Sequence, residues 1–380
     1  MTSLLKRKRS DCDYIDASAY PHIIDSIFSF ATPSVLISLR TASRSFQYLA
    51  DTLLFQHVVL DLVPATNPTS HRSHGHSVPL AELVPPFAHL VLLTPCGHRL
   101  PGGDWGDRCV APAERARWAR LLAHTWIVDY RTAPELAVVE TYPQLASALA
   151  NVDIVRRKVY TSRVVYAPTV VEYADFTRDN PSFPTPRVHF ASLPHGLARW
   201  VLNVRVDPAN PPVEGRITMQ GPKNSAGVPY GTDVVAIFSQ TPTSPAEVRP
   251  LAPGAPAWGV LAPILDLMVH QAPVATRGYT IVGVTQLPRA LLGMRADMTD
   301  AELEDEVIEY ILARDDIDLF EDERLAIRDL VRFLTREEYA KLYGPDWDVI
   351  SEWPEDDLKA NTLVHAFVPE VLQAEDQSLR

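Results

Sequence analysis

Three sets of side chains in this 380-residue sequence have types that could do chemistry. His71, His74 and His76 bring three imidazoles within six positions, the donors that a bound metal ion takes. Cys96 beside His98, and Cys109 beside Asp107, put a thiol near a group able to activate it as a nucleophile. Asp315, Asp316 and Asp318, and again Glu355, Asp356 and Asp357, gather carboxylates of the kind that hold hard cations. Each meets a plainer reading. The histidines sit in a polar Ser/Thr/Pro loop with no carboxylate or thiol within five residues on either side, so nothing supplies a second shell. The cysteines flank the loop-like Pro101-Gly102-Gly103-Asp104-Trp105-Gly106, where spacing alone provides no third, orienting group. The acidic runs lack the glycine and ligand spacing of a calcium loop and read as solvated helix flanks. No phosphate-cradling glycine loop, Gly-x-Ser-x-Gly elbow or His-Glu-x-x-His helix occurs. The expectation is a chain with no catalytic residues, no metal and no cofactor.

Composition narrows the class. Apolar residues make up 46% and charged residues 22%, ordinary for a globular protein. No run approaches the ~20 apolar residues that span a bilayer, and the start carries no apolar stretch after Lys6-Arg7-Lys8-Arg9. Three cysteines, Cys12, Cys96 and Cys109, make neither a disulfide framework nor a zinc quartet. A cytoplasmic or nuclear location is expected, with the basic run as a candidate import signal. Proline, at 33 residues against 16 glycines, excludes a uniform helical bundle and implies stiff loops between short elements. Residues 297–380 carry 25 acidic and 8 basic side chains, whereas the preceding 296 carry 22 and 27. That balance argues against binding a phosphate backbone.

The segment best suited to binding lies near the start. Pro21 suits the first turn of a helix, and Ile23, Ile24, Ile27, Phe28 and Ala31 come after it at helical spacing. Thr32-Pro33 ends that helix and opens another, continued by Val35, Leu36 and Leu39. A third segment carries Phe46, Leu49, Leu53 and Leu54. Roughly a dozen apolar residues in about 35 positions exceed what three short helices can hide among themselves, and so small a piece is not stable alone. Surplus apolar surface must pack on the rest of the chain or on a partner.

Four motifs within Tyr20–Asp51 resemble the F-box, the element that ties substrate receptors to the Skp1 subunit of cullin-RING ubiquitin ligases. They are Tyr20-Pro21, Ile27-Phe28, Leu36-Ile37-Ser38-Leu39-Arg40 and Ser43-Arg44-Ser45-Phe46. His22-Ile23 stand where the usual pattern has an acidic residue. The Tyr-Pro-His-Ile form is similar to fungal F-box-like proteins, as are Asp51–Leu60 and the later Phe333-Leu334-Thr335-Arg336-Glu337-Glu338-Tyr339. The resemblance implies a Skp1-type adaptor protein as partner, contacted through Pro21, Ile24, Ile27, Leu36, Leu39 and Phe46.

Beyond the helices, runs rich in Val, Ile and aromatic residues read as strands. They are His57–Leu62, Leu90–Leu93, Trp126–Tyr130, Val152–Arg156, Val170–Tyr173, Trp200–Val206, Val234–Ser239 and Tyr279–Thr285. Helical patterns at Ala113–His124, Pro143–Leu149 and Gly259–Gln271 alternate with them, which predicts crossovers and a mostly parallel sheet. Either a single-wound, leucine-rich-repeat-like array or a doubly wound domain satisfies this. Irregular strand spacing shows no standard repeat consensus. Thr299 with Glu302, and Thr335 with Glu338, are capping signals for helices near the end, with a further helix read over Asp322–Leu334.

The expected fold is therefore α/β. It runs as a disordered basic tail (1–18), a three-helix F-box-like module (19–56), an irregular repeat-like α/β domain (57–296), an acidic helical region packed on that domain (297–369) and a frayed end (370–380). The function expected from the resemblance is a non-catalytic ligase adaptor that binds Skp1 and an unknown protein substrate, without nucleic acid or membrane. A scaffold whose helices no longer bind Skp1, and an unrecognised α/β enzyme, remain the alternatives.

Overall fold

The structure, a computed structural model, describes residues 20–64, 88–105, 112–130, 143–149, 151–157, 167–175, 197–209, 231–241, 261–262, 265, 277–313 and 321–351. The basic run, the three histidines, Cys12, Cys109, both acidic runs, most of Gly259–Gln271 and the two terminal tails lie outside these residues. The chain divides into two compact units, Met1–Leu54 and Phe55–Arg380.

The first unit holds α1 (Pro21–Ser29), α2 (Pro33–Leu39) and α3 (Arg44–Leu54). Proline stands in the first turn of both α1 and α2, where its missing N–H costs nothing. Thr32 is the N-cap of α2 by position, but its hydroxyl pairs with Ser34 Oγ at 3.0 Å instead of capping. Ser43 does cap α3, its Oγ accepting from Phe46 N at 3.1 Å.

The second unit is built on one ten-stranded sheet. Its strands are β1 (His57–Pro64), β2 (Ala88–Leu93), β3 (Arg99–Trp105), β4 (Ile127–Tyr130), β5 (Ile154–Arg157), β6 (Thr169–Asp175), β7 (Arg199–Val206), β8 (Asp233–Gln240), β9 (Gly278–Val282) and β10 (Val331–Leu334). The spatial order is β10-β9-β8-β7-β6-β5-β4-β1-β2-β3. Among the described residues only the pairings of β2, with β1 and with β3, are antiparallel; the eight strands from β1 through β4 to β10 are parallel and stand in chain order. A doubly wound sheet reverses its order inside the parallel run, and this one does not.

The remaining described elements are α4 (Pro112–Leu122), α5 (Pro143–Ala148), α6 (Asp300–Leu312), α7 (Glu321–Leu330), α8 (Arg336–Tyr343) and α9 (Trp347–Ser351). Both capping boxes form: Thr299 with Glu302 opens α6, and Thr335 with Glu338 opens α8. Among the described residues no helix is long and apolar enough to cross a membrane.

Alternation along the strands sorts the core into two layers. On one face Val170, Trp200, Leu202, Val204, Val234, Ala236, Phe238, Tyr279 and Ile281 pack with Leu303, Val307 and Ile311 of α6. On the other, Ile127, Ile154, Val171, Val201, Val235, Ile237 and Val282 pack with Tyr339 of α8 and Ile350 of α9. The second face is covered by α8 and α9, which come after the last strand in the chain.

Two expectations need correction. Residues Val331–Leu334 do not continue a helix from Asp322; they form β10, parallel to β9, and Leu325 on the preceding helix is 59% exposed. Alternating Val331 and Phe333 suit a pleated edge, and the free hydrogen-bonding groups of β9 supply the pairing that local helix propensity does not. Segment Arg99–Trp105 is likewise a strand rather than a loop, held by its antiparallel pairing to β2.

Strand β9 also stops at Val282, short of the expected Thr285, because Gly283 takes φ +75° and turns the chain into the short 3-10 helix Val284–Gln286. A Cβ on Gly283 would lie 2.9 Å from Phe238 O and 3.2 Å from Arg336 Cγ. Gly283→Ala should therefore lower unfolding stability by about 1–3 kcal/mol, from the left-handed backbone and the clash together. Urea denaturation monitored by circular dichroism would read that loss.

Candidate functional site

The helical unit separates its apolar residues onto two sides. Phe28 and Leu36 are buried, and Phe28 meets Phe46 edge-to-face with ring centroids 5.2 Å apart. In α1, positions 24 and 28 are one helical turn apart on the inner side, whereas 23 and 27 form a second stripe. Ile23 and Ile27 are 46% and 47% exposed, and Tyr20, Phe30, Val35 and Tyr48 are exposed as well. This small unit thus carries six of the eight exposed large apolar side chains found among the described residues. Interfaces draw on such concentrations of unpartnered apolar surface.

A shallow groove of about 330 Å³ runs along the outer side of α2, lined by Ser34, Val35, Ser38, Leu39 and Ala42. Hydroxyls nearby are spent inside the helices: Ser26 donates to His22 O, Ser29 to Asp25 O and Ser38 to Ser34 O, at 2.8, 2.7 and 3.1 Å. What the outer side offers a partner is chiefly apolar area.

Of the six residues that the resemblance implies for docking, Pro21 and Ile27 are exposed and Leu39 lines the groove. Ile24 and Phe46 are half-buried, and Leu36 is turned inward at 5% exposure. Leu36 therefore acts on the packing of the unit. Ile23, Phe30, Val35 and Tyr48 are exposed although the resemblance does not point to them; their signal is the surplus of apolar residues over what three helices can bury. Arg40 belongs to the motif but has a structural role that the sequence does not reveal. Its guanidinium grips the Asp51 carboxylate through Nε and through Nη2 at 3.3 Å, tying the turn after α2 to the buried side of α3.

The second unit holds a different polar constellation. The parallel register sets Asp129 of β4 beside Arg156 of β5. Arg156 donates to the Asp129 carboxylate from Nε at 2.6 Å and from Nη2 at 2.5 Å, and His57 Nε2 lies 3.1 Å from Asp129 Oδ1. Arg156 and Asp129 are each 2% exposed. Burial alone pushes the Asp129 carboxyl up, but the charges of Arg156 and His57 and the hydrogen bonds they make outweigh it, holding the group well below the usual carboxylate range. Arg156 then reaches Val349 O at 2.9 Å with Nη1, and Asn203 Nδ2 reaches Ile350 O at 2.5 Å. Through these bonds the Asp129–Arg156 pair orders the backbone at Val349 and ties it to β4 and β5. Charged residues inside the apolar runs at 126–130 and 152–156 are the sequence signal for this pair.

Among the described residues no three His, Cys, Asp or Glu side chains are gathered as a metal ion would require. Compared with known proteins, the chain matches no protein-family model, no curated protein and no solved structure.

Asp129 has a lowered pKa in the folded state against ~3.9 unfolded, so its stabilising contribution is present above that unfolded value and drains away as pH falls below it. Asp129→Asn should cost about 3–5 kcal/mol at pH 7 by leaving the Arg156 charge buried without its partner. The gap between variant and parent should narrow below about pH 4. Denaturant titrations at both pH values would measure it.

Proposed function

We propose that this chain is a non-catalytic, substrate-recruiting adaptor of a Skp1–cullin–F-box ubiquitin ligase. The helical unit docks on a Skp1-type protein and the α/β body holds a protein substrate. The observation that carries this reading is the exposed apolar surface of Tyr20–Leu54, with Ile23, Ile27, Phe30 and Val35 turned outward and Val35 and Leu39 lining the α2 groove. The resemblance of Tyr20-Pro21, Ile27-Phe28, Leu36–Arg40 and Ser43–Phe46 to the F-box supports it from the sequence. Eight parallel strands in chain order support a leucine-rich-repeat-like reading of the body, a scaffold suited to holding a protein. The mechanism is proximity: joining two binding surfaces in one chain raises the local concentration of target lysines at the ligase.

The burial pattern selects the variants that test this. Leu36 is packed inward, so Leu36→Ala would loosen the unit and leave a lost interaction ambiguous. Ile27→Glu with Val35→Glu changes two exposed positions and leaves the inner packing intact. Purified Skp1 should bind the parent chain, and the double variant should bind at least ~100-fold more weakly, given ~1.5–3 kcal/mol for each buried aliphatic side chain. Absence of binding by the parent chain in a pull-down would overturn the ligase reading.

A further inference from the structure

Hydroxyl groups are frequent in the helical unit, and their bonding sets one pair apart. Ser26, Ser29, Ser38, Thr41 and Thr52 each donate to a backbone carbonyl three or four residues back. Ser43 accepts from Phe46 N as the cap of α3. Thr32 Oγ1 instead meets Ser34 Oγ at 3.0 Å and caps no N–H of α2. Thr32 is exposed, lies in extended backbone at φ −68° and ψ 158°, and precedes Pro33. A threonine before proline, accessible and extended, is the acceptor pattern of proline-directed protein kinases. Thr94 and Thr241 also precede proline, but their hydroxyls are engaged. Thr94 is buried and its Oγ1 accepts from His98 N at 3.1 Å, whereas Thr241 Oγ1 lies 3.2 Å from Asp207 Oδ1.

The surroundings of Thr32 give its modification a consequence. Phe30 is 89% exposed, Val35 is 44% exposed, and Ser34 and Val35 line the α2 groove. A phosphoryl group brings a charge of about −1.5 to −2 at pH 7 to this apolar border. Neither α1 nor α2 contains a lysine or arginine, and Arg40 is engaged by Asp51. A partner seated on the apolar surface must then desolvate a dianion that these helices do not neutralise.

We infer that Thr32 is a phosphorylation site and that its phosphate releases the Skp1-type partner from the helical unit. Thr32 Oγ1 attacks the γ-phosphorus of a nucleoside triphosphate, and the bond from that phosphorus to the β–γ bridging oxygen breaks. The nucleoside diphosphate leaves, and the hydroxyl proton passes to the catalytic carboxylate of the kinase. This inference rests on the docking reading above and supplies its off switch.

The test treats the full chain with a mitogen-activated protein kinase and MgATP, maps phosphate by mass spectrometry and measures binding of purified Skp1. Phosphate should appear on Thr32, and the phosphorylated chain should bind Skp1 at least ~10-fold more weakly than the untreated parent. Thr32→Ala removes an exposed hydroxyl and should bind Skp1 as the parent does. Its affinity should survive kinase treatment, although Thr185, Thr241 and Ser244 still precede proline. Thr32→Val serves the same purpose should the alanine variant fold poorly. Three results would overturn this inference alone: no phosphate on Thr32, undiminished Skp1 binding by the Thr32-phosphorylated chain, or equal weakening of the Thr32→Ala chain on treatment. A parent that binds no Skp1 before treatment overturns the docking reading and this inference with it.

Discussion

A parallel sheet whose strands succeed one another in chain order brings its crossovers back on one side, and that handedness constrains the rest of the body. One side is closed by α6 through Leu303, Val307 and Ile311, with Leu261 and Leu265 in the same layer. The other side still has to be covered, because β-strand alternation points Ile127, Val171, Val201, Val235 and Ile237 into it. Apolar rows of that extent do not stay open to water in an isolated domain. The same winding that builds the sheet thus creates the need for residues 336–351.

Charge at the middle of this covered face obeys the same logic. A buried guanidinium is tolerated only when its donors are matched. Arg156 meets that condition partly within the sheet, through Asp129, and partly outside it, through Val349 O. The sheet and residues 336–351 are therefore coupled by hydrogen bonds as well as by burial. Asn203 repeats the device two strands away, and cation–π contacts at Arg199 and Arg336 extend it along α8 and α9.

Most strands were legible because β-branched and aromatic runs bounded by proline or glycine are a local signal. All eight expected runs coincide with strands of the sheet, within a few residues at their ends. The two missed strands had no such signal of their own. Arg99–Trp105 contains Pro101, Gly102 and Gly103, and is extended through pairing with β2. Val331–Leu334 comes directly after a helix and is pulled into the sheet by β9. Capping boxes at Thr299 and Thr335 were readable because they are completed within four residues. The charges of Asp129 and Arg156 stand out inside apolar runs, but their pairing was not readable, since it spans 27 positions and exists only once β4 and β5 lie side by side.

Helical periodicity revealed that the first unit has more apolar residues than it can bury, but not which of them stay outside. Inner and outer stripes in α1 differ by one position, Ile24 and Phe28 against Ile23 and Ile27. What separates them is the edge-to-face contact of Phe28 with Phe46, a pairing 18 residues apart in sequence. Once that contact sets the rotation of α1, Ile27 must face outward. In α2 the inward turn of Leu36 leaves Val35 exposed and Leu39 on the groove. A single aromatic contact therefore determines which side of α1 is offered to a partner, and the Arg40–Asp51 pair steadies the turn from α2 to α3 behind it. Specificity of docking in such a small unit rests on the rotation of its helices as much as on the identity of the side chains they carry.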